Sequence, residues 1–494
     1  MVVVLTTTQF QQFHEGGSMG ECSDSRRLNT ISAITTRRRF VGGATASVAS
    51  VPFLSSFLEV LAAAPANAVV RKAAHKLKVH DTEVQLLRDA VKILKENDGI
   101  GGWSFLATYH KDFCGVMSSK EIHFGWYFLP WHRVYLAVME RHLQAAVSEP
   151  SLAIPYWDWY ASPAIPEIFM GSDNPLNDGS RRPSGPEMGP FDLGVLTEAD
   201  LVDDEDFKVF GGGDPEREGG GAIEFGPHGG GHVFVGGNLG AFATAALDPL
   251  FMAHHGNIDR LWEVWRNAGT TPRAEPVDEG WDARPYVFIG ADGTEIKRIS
   301  SETISTVGLG YQYDDLKVKP AEVVVAGGAE IGVPLGAGEE LSLELTSSGP
   351  AGQPINLSGA GVLFKLTLPA DDGIASVLSS APTSSLTKGR KLKVRIRELE
   401  VPDDAVQIRV YLDPKKPIAD LHSDEASFAG SINLVPMNGS GTGARIIANV
   451  DITRAADGVD LPISEMPVLI VPYTRDGKPR GGSMSIVGVQ LIIK

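Results

Sequence analysis

Cysteine is nearly absent: the 494 residues include two, Cys22 and Cys114. Once a leader is removed only Cys114 remains, which excludes a disulfide framework within one mature chain. Positive charge is also scarce. With 44 Lys and Arg against 61 Asp and Glu, the formal charge is −17. That excludes general binding to nucleic acid or to anionic membranes. Long apolar runs are missing too. The nearest approach, Val41 to Ala64, is broken by Pro52 and Glu59, so no stable membrane insertion is expected. What remains is an ordinary globular composition with 55 glycines. It is long enough for two or three domains and implies long loops.

The run Thr36-Arg37-Arg38-Arg39-Phe40-Val41 carries a twin-arginine pattern, and Ala66-Asn67-Ala68 closes it as a small-residue cleavage site. The preceding residues are rich in Thr and Ser and poor in acids, as in an organelle transit peptide. The expected destination is the thylakoid lumen by the twin-arginine route, with bacterial periplasm or secretion as the alternative.

The expected division is 1–68 leader, removed; 69–316 a mainly helical domain with long loops; 317–330 linker; and 331–494 a β-rich domain. Helical periodicity covers Asp81 to Lys95 and Trp131 to Val147. Asp248-Pro249 is a helix start, Asp as cap and Pro in the first turn, running to about Trp265. Beyond Val323, short alternating strands at Leu341–Leu345, Val362–Leu368, Leu392–Ile396, Ala405–Leu412, Arg445–Ile452 and Val468–Tyr473 predict an antiparallel β-sandwich.

The chemistry sits in the histidines. Of 12, six fall into two triplets: His110, His123 and His132, then His228, His232 and His255. Three imidazoles per ion leave coordination positions open for substrate. His228 and His232 share a helix face at a spacing of four. Gly229-Gly230-Gly231 between them is a poor helix former, so tertiary contacts or a metal must hold the turn. His254 and His255 are about 100° apart on a helix and cannot both serve one ion alike. One is a ligand and its neighbour a supporting group. Asp259 and Phe251, four residues either side of His255, share its face; Asp259 can orient a ring and Phe251 can pack on it. Carboxylate-poor triplets favour copper or zinc, which leaves a zinc hydrolase open on ligand chemistry alone.

Five stretches together are diagnostic: His110-x-x-x-Cys114; His123 leading into Pro130-Trp131-His132-Arg133; Ile154-Pro155-Tyr156-Trp157-Asp158-Trp159; Glu224-Phe225-Gly226-Pro227-His228-Gly229-Gly230-Gly231-His232; and Asp248-Pro249 through His254-His255 to Asp259-Arg260-Leu261-Trp262. They resemble plant-type polyphenol oxidases of the tyrosinase and catechol oxidase family. Tyr311-Gln312-Tyr313 resembles the motif that closes the family's catalytic domain.

The resemblance implies a four-helix bundle holding two copper ions, followed by a C-terminal domain that shields the site and keeps the enzyme latent. The first copper falls to His110, His123 and His132, the second to His228, His232 and His255, with His254 in support. The implied reaction converts small phenolic substrates, the o-diphenols, to o-quinones with O2. A haemocyanin-like oxygen carrier is the alternative. Further implied roles are a thioether between Cys114 and His123, a water-holding carboxylate at Glu224, and a gate over the second copper at Phe242. Two departures stand out. Gly229 occupies a position where strongly monophenol-hydroxylating members often carry Asn, so weak monophenol activity is expected. The disulfides usual near the start of the catalytic domain are missing, so Val69 to His80 is expected to be looser.

Overall fold

The structure, a computed structural model, describes residues 68–494 except 115–121, 195–196, 271, 319–339, 348–352, 369–372, 389, 424, 437–444 and 483. The leader and most of the expected linker lie outside these residues. No described helix is long and apolar enough to cross a membrane.

Helix α1 (Thr82–Lys95) buries Val84, Leu87, Ala90, Val91 and Leu94, the stripe its periodicity predicts. Helix α2 (Trp103–Phe113) buries Trp103, Leu106, Ala107 and His110 at the same spacing. Two helices are buried almost all round and form the centre: α3 (Phe128–Val147) and α5 (Leu250–Asn267). Pro130 lies in the first turn of α3, where its missing N–H costs nothing. Asp248 accepts the Leu250 N–H at 2.8 Å and caps α5, as its position before Pro249 predicts. Between them comes the short α4 (Gly229–Val235), entered through a wide turn, Glu224–His228, that kinks at Gly226.

Strand β1 (Val69–Arg71) pairs in parallel with β2 (Tyr311–Tyr313). Arg71 is fully buried and bonds Glu140, Asp259 and Tyr313. The first segment of the fold is therefore anchored rather than loose. A buried arginine supplies the tie that the missing disulfides do not.

The C-terminal region is antiparallel. Its main strands are β3 (Leu341–Thr346), β4 (Val362–Leu366), β5 (Leu392–Glu400), β6 (Val406–Leu412), β7 (Phe428–Leu434), β8 (Arg445–Asp451), β9 (Val468–Thr474) and β10 (Gly488–Ile493). They hydrogen-bond in the order β7-β6-β9-β4-β3-β10-β5-β8, and the end strands β7 and β8 pack together. The two faces expected of a sandwich are thus two arms of one continuous sheet folded over. One buried apolar cluster runs from the helices into this sheet. The anchor is Phe191, in the turn Pro190–Leu193: its ring lies 4.8 Å from that of Phe428 and under the Arg409 guanidinium at 3.4 Å.

Candidate metal centre

Each histidine arrives from a separate constraint. His110 comes from α2, His132 from α3, His232 from α4 and His255 from α5. His228 ends the wide turn before α4, and His123 precedes α3. The residue after His123, Phe124, has φ 64°, a strained value for a non-glycine residue. Its N–H donates to Glu224 Oε1 at 2.6 Å, so a carboxylate beside the second triplet fixes the backbone that presents a ring of the first.

All six rings are at most 2% exposed. Within the first triplet ring centres are 5.1 to 5.5 Å apart, and within the second 4.7 to 5.3 Å. Across the two, His132 stacks on His255 at 4.4 Å and His123 on His228 at 5.5 Å. The triplets therefore face each other at a spacing one small ligand can bridge.

The hydrogen bonds fix which nitrogen points inward. His110 Nδ1 donates to the Phe242 carbonyl, His132 Nδ1 to Phe128, His228 Nδ1 to Glu224 and His232 Nδ1 to Leu239, at 2.6 to 3.2 Å. A carbonyl only accepts, so each of these rings carries its proton on Nδ1 and aims a bare Nε2 lone pair inward. His232 Nε2 then lies 3.1 Å from His228 Nε2 and 3.2 Å from His255 Nε2. Two bare lone pairs cannot bond each other, and burial opposes protonating them. It pushes His110 down to about 3 and holds His132, His228, His232 and His255 well below the usual imidazole range, with neighbouring imidazoles adding to the effect. Nε2 of both His110 and His132 is buried with no hydrogen-bond partner. A bound cation would satisfy these atoms, so the donor set fits imidazole-bound metal.

The adjacent rings of His254 and His255 stand 5.3 Å apart at 82°, and both belong to a group of four histidines with His228 and His232. His254 Nε2 donates to the His228 carbonyl at 3.0 Å, and its ring stands behind the second triplet, 4.8 Å from His232. Phe251 stacks on His255 at 4.1 Å. Cys114 is buried, and its sulfur lies within 4.8 Å of ligand nitrogens of His110 and His123.

Asp259 and Phe242 differ from expectation. Asp259 does not orient the His255 ring, whose Nδ1 has no hydrogen-bond partner. Its carboxylate instead takes the Tyr311 and Tyr313 hydroxyls at 2.6 Å each and pairs with Arg133 and Arg71. Two buried guanidiniums outcompete a neutral imidazole for a carboxylate. Phe242 packs on His123 of the first triplet at 4.3 Å and reaches His232 of the second only at 6.5 Å. Its carbonyl is held by His110, and this sets the ring on that side.

The glycines around His228 and His232 are explained by close approach. A Cβ on Gly229 would lie 2.3 Å from the Asn433 carbonyl oxygen, one on Gly230 1.7 Å from that of Asp192, and one on Gly231 2.2 Å from the His254 ring. Asn433 and Arg475, both touching this helix, carry no local sequence signal; each lies more than 200 residues away.

The family profile for the common central domain of tyrosinase matches residues 100–192 and 192–268, which between them contain all six histidines.

The chain carries the common central domain of the tyrosinase family.

This is a family of copper oxidoreductases. A chloroplastic polyphenol oxidase of Malus domestica is 27% identical over 435 residues, 76% of this chain and 69% of the relative. Other curated relatives are covered to about half their length or less. The solved structure of latent apple tyrosinase superposes with a TM-score of 0.63 at 22% identity, covering 87% of this chain and 98% of that one. A functional unit of octopus hemocyanin also superposes, with a TM-score of 0.52 at 17% identity, over 86% of this chain and 99% of that one. Both likenesses are of fold.

Proposed function

We propose that this chain oxidises o-diphenols to o-quinones while reducing dioxygen to water, with weak activity on monophenols. The observation that carries this is the facing of two buried histidine triplets, with the Nε2 atoms of His228 and His255 both within 3.2 Å of that of His232. His110, His123 and His132 would hold one copper, and His228, His232 and His255 the other. A bound copper pair would supply redox chemistry between diphenols and dioxygen, the overall balance being two diphenols and one dioxygen to two quinones and two waters.

The chain's own residues do the rest. Carbonyl bonds at Nδ1 keep four rings aimed and basic. Phe251 fixes His255. Glu224 orients a water able to take a phenol proton. Phe242 packs on His123 and steadies it. A thioether from Cys114 to His123, in which the S–H and an imidazole C–H give way to a C–S bond while dioxygen takes the two electrons and two protons, locks a ligand that lies off any helix. The β-rich region keeps the chain latent: the Phe242 N–H donates to the Pro436 carbonyl, which brings Val435 and Pro436 beside the first triplet. Chloroplastic relatives and the leader support delivery to the thylakoid lumen by the twin-arginine route.

Oxidation of 4-methylcatechol after mild detergent or limited proteolysis, with two coppers per chain, is the expected result. Reversible oxygen binding without catechol turnover would support a haemocyanin-like carrier, and zinc in place of copper a hydrolase.

A further inference from the structure

The helix that carries His232 lacks the means to form alone. It has seven residues, the first three glycine. Each interior glycine costs about 1 kcal/mol against alanine, and helices this short are unstable in water. Two side chains of the β-rich region hold it, one at each end.

At the entrance, Asn433 of β7 points its Nδ2 among four carbonyls: Phe225 and Gly226 of the turn before His228, at 3.4 and 3.3 Å, and Phe191 and Asp192, at 3.3 Å each. Its Oδ1 accepts from Gln407 at 2.8 Å, so the amide cannot swing away freely. At the exit, Arg475 gives Nε to the Val233 carbonyl at 2.5 Å and Nη2 to Phe234 at 2.9 Å. Those carbonyls belong to the last turn and have no partner within the helix; a cation there also suits the helix dipole. Gly236, with φ +63°, ends the helix beneath the guanidinium, where a Cβ would come within 2.4 Å.

We propose that Asn433 and Arg475 are positioning residues for the second triplet, clamping α4 so that His228 and His232 stay aimed at one point. The β-rich region is then a brace for one metal as well as a cover. The purpose of the clamp rests on the copper reading above; the clamp itself does not.

The test uses the full chain and the variants Arg475→Ala, Asn433→Ala and Arg475→Lys. In the metal-free proteins, backbone amides of 230–236 should exchange with deuterium at least tenfold faster in the two alanine variants. Those of α5 should be unchanged, and Arg475→Lys should be intermediate. After copper loading, the alanine variants should fall from two coppers toward one and show the paramagnetic signal of an unpaired Cu(II). Should Arg475→Ala unfold, Arg475→Gln, which keeps the chain length but not the charge, is read instead. Wild-type protection of 230–236 in both clamp variants would overturn the proposal. If the wild-type chain takes up no copper, the metal reading fails while the exchange result still decides the clamp.

Discussion

His132 and His255 lie face to face, ring centres 4.4 Å apart and planes within 12°, although each belongs to a different triplet. The two halves of the site share a wall, and damage to one should spread to the other. For His132→Gln we expect copper below one per chain by elemental analysis. Catechol turnover should fall more than about 100-fold, beyond the effect of losing a supporting partner alone.

Stability of the metal-free protein should depend on pH with a definite sign. Burial depresses His110 to about 3 and His254 to about 4, both below the value of an unfolded imidazole. Their contribution is intact above about pH 6.5 and declines as pH falls toward those folded values, because the unfolded chain takes up protons the folded one refuses. Melting temperature by calorimetry should fall steadily between pH 7 and 5. A flat profile would show that these rings are not buried neutral.

Asp259→Asn should cost about 3–5 kcal/mol in denaturant titration, since it leaves the buried Arg71 and Arg133 without their shared anion. Tyr311→Phe, which removes one neutral donor to the same carboxylate, should cost about 1 kcal/mol.

Gly229→Asn tests two ideas in one chain. The new side chain meets the Asn433 backbone, so β7 must shift and the detergent needed for full activity should drop. Once activated, the ratio of tyramine to 4-methylcatechol turnover should rise above the low wild-type value. An unchanged detergent requirement would mean β7 yields without loosening its hold.

The proposed thioether would have a mass signature. The intact mature chain should be lighter than its sequence by two hydrogens, and Cys114→Ser should match its sequence. A reactive thiol in the wild-type protein would count against the bond.

The legible parts of the sequence were those governed by short spacing. Val84, Leu87, Val91 and Leu94 declare α1, and Asp248-Pro249 declares the start of α5. The histidine motifs identify the site because their rings answer to backbone carbonyls a few residues away, such as Phe128 for His132 and Glu224 for His228. What depends on distant partners was not legible. Asp259 sits four residues from His255, yet its bonds are decided by Arg71 and Tyr313. The need for three glycines is visible in sequence, but Asp192, Asn433 and His254, which impose it, are not. Strands β7 and β10 also escaped, although β6 and β9, buried just as fully, were expected.

The Arg71–Tyr313 bond spans 242 positions of chain. No part of the helical core can close over its charged centre until that whole length has been synthesised and its two ends have met. Closure of so large a loop is slow and late. Assembly should be all-or-none, with a refolding rate limited by this docking step.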